Sequence, residues 1–327
     1  MECVAAYFIR RSGKDTAKVV ADLAKTLKLA TNEEAKALIT TRIRPFVDTV
    51  LPRHTIKISM GDLEPQTLGP SSASGMSSAI HDLPMTDHPT ASTIESKALG
   101  VPSDDQSFVS GDTIFAEPTG WGVISDIDDT IKVTMTHTAI GILQKTFTEP
   151  LQPVDGMPEL YKEITTKYNN PCTFYLSASP YNLYHLLRTF RQQYYPPGTL
   201  ILRDASWQNL GGLIASLSQN VQAYKVDRID KIHSWFPSRK FICFGDSTQK
   251  DPESYGEAAR KYPGWIKGIF IRRVAGVSEV TDPDEVKKNE DLRFEKAFKD
   301  LDRELWMVFD SPDEVRSKLD AIVAAGL

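Results

Sequence analysis

From Trp121 onward, apolar runs of strand length alternate with stretches of helical period. The runs WGVISD (121–126), CTFYLSA (172–178), TLILRD (199–204), KFICFGD (240–246) and IKGIFIRR (266–273) are nearly continuous in hydrophobic residues. A strand of that kind has both faces covered. Helical patterns at about 156–168, 181–194, 225–236 and 252–262 can supply the cover, so the pattern predicts an α/β fold, a parallel sheet with helices on both faces. Upstream, Val19, Leu23 and Leu27 in KDTAKVVADLAKTLKL (14–29) make one helix face. TNEEAKALITTRI reads as a second helix, opened by a capping box between Thr31 and Glu34 and limited by Pro45. HTIKISM (54–60) alternates like a short strand. From Gly61 to Gln106 the chain is rich in Ser, Pro, Thr and Gly without a period, which predicts a linker or insertion with little regular structure. Alternation resumes at SFVSGDTIFAEP. The expected division is a helical region with a short strand over 1–60, the linker or insertion over 61–106, and the α/β domain over 107–327.

In sheets of this class ligands bind beyond the carboxyl ends of the strands. The first strand ends in Asp126 and Asp128, the second in Ser177 and Ser179, and the fourth in Asp246. Asp126, Asp128 and Asp129 fall within four positions, and ionised carboxylates leaving water cost several kcal/mol each unless something compensates. A strand-end cluster of acids and hydroxyls suits Mg²⁺, a hard cation satisfied by one or two carboxylates plus phosphate oxygens.

Composition narrows the classes. The 38 Lys and Arg against 43 Asp and Glu, net −5, provide no basic stripe for nucleic acid, which is excluded as a partner. Three scattered cysteines, Cys3, Cys172 and Cys243, make neither a disulfide framework nor a zinc cluster. No stretch reaches the roughly 20 apolar residues of a membrane span. The expectation is a cytoplasmic protein able to touch a membrane peripherally.

DIDDT at 126–130, followed by IK, resembles the first motif of the haloacid-dehalogenase-like (HAD) phosphatases. The resemblance implies that Asp126 is the nucleophile, forming an aspartyl-phosphate, and that Asp128 is the general acid and then the base. Thr130 would support the motif, and Asp129, at its variable position, would cap the turn and face solvent. FYLSASP resembles the second motif, with Ser177 or Ser179 as the hydroxyl that meets a phosphoryl oxygen. Lys225 in QAYKVDRIDKI resembles the third, a lysine that neutralises nucleophile and phosphate. FGDSTQKDPESYG resembles the fourth. There Asp246 would bind Mg²⁺ together with Asp126 and the Asp128 backbone carbonyl, and Asp251 would hold the lysine or a metal-bound water.

Taken together, GWGVISDIDDTIK, YLSASP and FGDSTQKDPE resemble the catalytic domain of the fungal actin patch phosphatidate phosphatases, relatives of the lipins, over about residues 107–310. The resemblance implies a HAD-like Rossmannoid sheet and hydrolysis of phosphatidate at a membrane surface. It also implies a place at cortical actin patches, with SH3-containing or other actin-patch proteins as partners, although no proline-rich tail follows LWMVFDSPDEV. Ile131 to Pro153 has room for a minimal cap and no separate domain. SWQNLGGLIASLSQNVQAY (206–224) reads either as a helix packed on the sheet or as an interfacial element. Lys132, Arg203, Arg272 and Arg273 lie near strand ends, where they could meet phosphate. A phosphatase acting on a phosphoprotein or soluble ester, and a non-catalytic adaptor with the same fold, are the alternatives.

Overall fold

The computed structural model describes residues 2–9, 33–82, 92–101, 109–203, 220–275 and 283–325. These form two compact units, one of residues up to 116 with 179–189 and 202–203, the other of 117–178, 190–201 and those from 220 onward. The helix expected over 14–29, the capping box at Thr31 and most of the segment 206–224 lie outside the described residues.

The first unit is built from short strands: β1 (Glu2–Ala6), β2 (Phe8–Ile9), β3 (Thr49–Val50), β4 (Ile56–Met60), β5 (Leu63–Leu68), β6 (Met76–Ile80), β7 (Thr93–Leu99) and β8 (Ser110–Ile114). β1 pairs antiparallel with β6, β2 with β3, and the remaining four form a sheet ordered β5-β4-β7-β8. Ile58, Met60 and Leu68 are its buried core. The expectation of little regular structure over 61–106 is therefore overturned. TIESKAL (93–99) alternates strictly between more and less exposed positions, with Ile94, Ser96 and Ala98 on the less exposed face, the period of a strand, and MSSAI (76–80) pairs with β1 residue by residue. Pro65 fits because β5 is an edge strand whose register against β4 shifts between Ile58 and Met60, where a missing N–H breaks no ladder bond. Pro45 does not limit its helix, which runs Glu33–Val47. A proline in the last turn removes one N–H only, and the Asn182 side chain donates to the Pro45 carbonyl at 2.7 Å, satisfying one of the orphan carbonyls of a helix end.

In the second unit β9 (Trp121–Asp126), β10 (Cys172–Pro180), β11 (Thr199–Arg203), β12 (Lys240–Asp246), β13 (Ile266–Arg272) and β14 (Trp306–Phe309) make a six-stranded parallel sheet ordered β11-β10-β9-β12-β13-β14, flanked by helices. All five expected strands are present, with helices at Met157–Lys167, Tyr184–Tyr194, Val221–Trp235 and Asp251–Lys261. β14 and the helix Pro312–Ala324, opened by a capping box between Ser311 and Glu314, extend the sheet beyond that expectation. The winding runs outward from β9 through β10 to β11 and then returns to β12 on the other side of β9. The carboxyl ends of β9 and β12 thus meet at the reversal, the crevice where such sheets bind ligands.

The core between sheet and helices holds Ile124, Phe174, Phe241, Trp265 and Ile269 among its buried residues. Gly122 makes room for it: a Cβ there would lie 2.2 Å from the Phe241 ring. That ring in turn packs 4.4 Å from Trp265, centroid to centroid. Between β9 and β10, Ile131 to Pro153 holds one helix, Ala139–Phe147, capped by the Thr138 hydroxyl. Its ends are tied by the Val133 N–H to the Gln152 carbonyl and the Val154 N–H to the Ile131 carbonyl, each 2.9 Å. No separate domain is inserted there.

Removing the buried ring in Phe241→Ala is expected to lower the unfolding free energy by about 3–5 kcal/mol. Urea denaturation reads the loss, and a change below about 1 kcal/mol would show that the ring is not what holds the sheet to its helices.

Candidate active site

β9 carries Asp126 out of the sheet into a tight reversal. The N–H groups of Ile131 and Lys132 both donate to the Ile127 carbonyl, at 3.0 and 2.9 Å, and the Asp129 N–H donates to the Lys132 carbonyl at 2.7 Å. The reversal lines up the even-numbered residues Asp126, Asp128, Thr130, Lys132 and Thr134, and all five side chains are buried. They divide into two charge systems.

Asp126, Asp246 and Asp251 form the first. Each offers a carboxylate oxygen within 4.8 Å of the others, a group able to hold a metal ion. The fully buried Lys225, from the helix Val221–Trp235, donates to Asp126 Oδ1 at 2.6 Å and to Asp251 Oδ1. The Thr130 hydroxyl bridges Asp126 Oδ2 and Asp246 Oδ2 at 3.3 and 3.2 Å. Asp251 begins its helix and accepts the Asp246 N–H at 3.2 Å. It can come this close because residue 245 is glycine: a Cβ there would stand 2.5 Å from the Asp251 Cβ.

Asp128 anchors the second system. Its Oδ1 meets Lys132 Nζ at 3.0 Å and the Thr134 hydroxyl at 2.9 Å, while its Oδ2 accepts from the Ser177 hydroxyl at 2.8 Å. Burial pushes the Asp128 carboxyl up, but Lys132 and the hydrogen bonds from Ser177, Lys132 and Thr134 outweigh it and hold the group below its ordinary range.

The first system is not balanced in this way. Burial raises Asp126 well above the carboxylate range; Lys225 opposes that shift, and the neighbouring Asp251, Asp246 and Asp128 add to it. Asp246 is pushed up to about 7 by burial and by Asp251 and Asp129. Burial would lower Lys225, but Asp126, Asp251 and Asp246 outweigh it and keep the ammonium charged. Three carboxyl groups share one ammonium, so deprotonating all of them would leave two negative charges uncompensated. An all-oxygen donor set short of two positive charges fits a hard divalent cation.

Each residue expected at the site lies in this constellation: Asp126, Thr130, Lys225, Asp246 and Asp251 in one system, Asp128 and Ser177 in the other. Asp126 and Asp246, the two carboxylates expected to serve the cation, are joined in the cluster by Asp251, which holds the lysine as expected; the Asp128 side chain pairs with Lys132. Asp129 departs from expectation. It caps the turn but does not face solvent, for its buried carboxylate accepts the N–H groups of Thr134, Met135 and Thr136. The reason is its φ of +60°, which folds the following segment back over its own side chain. Arg272 donates to the Asp129 carbonyl, and Arg273 forms longer ion pairs with Asp291 and Asp310. Thr134, Thr136 and Thr248 were not legible as site residues, although the every-second-residue polar stripe from 126 to 136 is a signal that reaches the first two.

Residues 121–273 match the family model described as phosphatidate phosphatase APP1, catalytic domain. Phosphatidate phosphatase APP1 of Saccharomyces cerevisiae is 33% identical over 180 residues, 54% of this chain and 30% of that protein. An uncharacterized protein of Schizosaccharomyces pombe is 28% identical over 158 residues, 47% of this chain and 25% of that protein. This chain thus covers less than a third of the length of these curated relatives. No solved structure gives a significant match. The matched span takes in β9 to β13 and every residue of both charge systems.

The charge imbalance has a measurable consequence. Asp246 keeps its proton in the fold up to about pH 7, whereas the unfolded chain gives it up near 4, so cation-free stability should fall as pH rises through that interval. In EDTA the Tm is expected to drop by about 5 °C or more between pH 5 and 8, and saturating Mg²⁺ should recover most of that at pH 8 and little at pH 5. A Mg²⁺-induced shift as large at pH 5 as at pH 8, read by scanning calorimetry, would contradict the assignment of the surplus charge.

Proposed function

We propose that this chain is a Mg²⁺-dependent phosphatidate phosphatase, hydrolysing phosphatidate to diacylglycerol and phosphate through an aspartyl-phosphate on Asp126. The observation that carries the reading is the pairing of a charge-deficient carboxylate cluster at Asp126 with a separately neutralised carboxylate two residues along, at a parallel-sheet reversal. The match of residues 121–273 to the APP1 catalytic domain supports it and supplies the substrate class.

Bound Mg²⁺ would supply the missing positive charge beside Asp126 and the phosphoryl oxygens. Asp126 attacks phosphorus; the bond from phosphorus to the glycerol oxygen breaks, and Asp128 gives that oxygen its proton. Water then attacks the phosphorus of the acyl phosphate, Asp128 takes the water's proton, and the bond to Asp126 breaks to release phosphate. Asp128 rests ionised beside Lys132, and the negative charge of an arriving phosphate favours its protonated form. Lys225 stays charged throughout, and the Ser177 hydroxyl turns from Asp128 to a phosphoryl oxygen. The absence of a separate domain between β9 and β10 suits a headgroup presented by a membrane. Among the described residues no helix is long and apolar enough to cross one, and the action proposed is peripheral, at the membrane surface.

Purified protein with Mg²⁺ is expected to release phosphate from phosphatidate in mixed micelles and to stop when EDTA is added. Asp126→Asn should remove at least about a thousandfold of the rate, and Asp128→Asn about 10²–10⁴-fold, less with p-nitrophenyl phosphate because its leaving group needs no proton. Turnover confined to soluble esters or phosphopeptides would move the substrate, and full activity in Asp126→Asn would end the mechanism.

A further inference from the structure

Asp129 adopts a left-handed backbone conformation that glycine takes without strain. Aspartate tolerates that conformation better than most residues, and here its carboxylate is fully engaged. All four donors that fill it come from one short segment: the Thr134 and Met135 N–H groups on Oδ1, each at 2.8 Å, and the Thr136 N–H and hydroxyl on Oδ2, at 2.7 and 2.6 Å. Arg272 fixes the turn itself, donating to the Asp129 carbonyl at 2.7 Å. The tether delivers Thr136 to a definite place, where its hydroxyl lies 2.7 Å from that of Thr248. Thr248 donates its N–H to Asp246 Oδ1 at 2.6 Å, and its hydroxyl touches both that oxygen and the Thr136 hydroxyl, its single proton serving one of them at a time. A chain of polar contacts therefore runs from the tethering carboxylate to a carboxylate of the cation cluster.

We propose that Asp129 is a positioning residue for the cation site: acting through Thr136 and Thr248, it aims the Asp246 carboxylate and so sets divalent-cation affinity without contributing a ligand. This rests on reading Asp126, Asp246 and Asp251 as that site. With the tether cut, Thr136 no longer restrains Thr248, and Asp246 must be ordered at the expense of binding. Partners beyond the ligands are worth about 10–100-fold in metal affinity at comparable sites.

Backbone strain separates this role from that of a turn former. Asp129→Gly relieves the left-handed strain but cuts the tether, so a turn former would bind Mg²⁺ unchanged, whereas the proposal requires affinity to fall by about tenfold or more. The 327-residue chain is titrated with MgCl₂ alone by isothermal titration calorimetry, for wild type, Asp129→Gly, Thr136→Val, Thr136→Ser and Asp246→Asn. Thr136→Val should match Asp129→Gly, and it carries the test if the glycine variant does not fold. Thr136→Ser, which keeps the hydroxyl, should restore affinity to within about twofold of wild type. Wild-type affinity in Asp129→Gly or Thr136→Val, or a serine variant as weak as the valine, overturns the proposal while leaving the cation site standing. Heats in wild type no different from those of Asp246→Asn overturn the cation site and the proposal with it.

Discussion

The constraint on which this structure turns is a surplus of two acids over one base, buried where β9 and β12 end. Asp126, Asp246 and Asp251 share one ammonium, Lys225, in a place that excludes water. A buried charge without a partner costs several kcal/mol, so the cluster must take up protons or take up a cation. The raised carboxyls of Asp126 and Asp246 are the first answer, and the all-oxygen geometry is ready for the second.

The fold supplies this tension through topology. Adjacent parallel strands wound in opposite directions leave a crevice at their carboxyl ends, and β9 and β12 are the two strands that flank the reversal. Each contributes its terminal aspartate. The third carboxylate arrives on the helix that follows β12, and the bare Cα of Gly245 lets it come within reach of Asp246 and Lys225. Burying Lys225 completely is tolerable because two carboxylates hold its charge. Neither the lysine nor the acids would be stable there alone.

How much of this could be read from residues follows from the range of the forces involved. The five strands of the parallel sheet are legible because burial on both faces leaves an unbroken apolar run, a local signal. Four residues of β14 are too few to stand out, and β6 and β7 hide because pairing with distant partners, rather than side-chain hydrophobicity, makes them strands. Within the site, the strand-end acids and Lys225 are legible from position and motif. Asp129 misleads because its burial depends on a backbone dihedral that turns the chain back over it, and Thr248 because its importance lies in a contact with Thr136, 112 positions away. Nothing in a local pattern carries either fact.

The two systems also explain how neighbouring carboxylates on one turn can take opposite roles. Asp126 and Asp128 are both buried and chemically identical, so their neighbours, charges and hydrogen bonds alike, distinguish them. Among the described residues Lys132 is ion-paired with Asp128 and also donates to Thr134, Thr134 and Ser177 donate to the same carboxylate, and that group is held ionised. Lys225 is divided between two acids, so Asp126 is not. On the proposed chemistry, the nucleophile becomes available only when further positive charge arrives, while the proton-transfer group responds to the negative charge of the substrate. Ionisation of the one and protonation of the other then both require a loaded site. On that proposal, the uneven sharing of two lysines would by itself keep Asp126 protonated until a cation arrives.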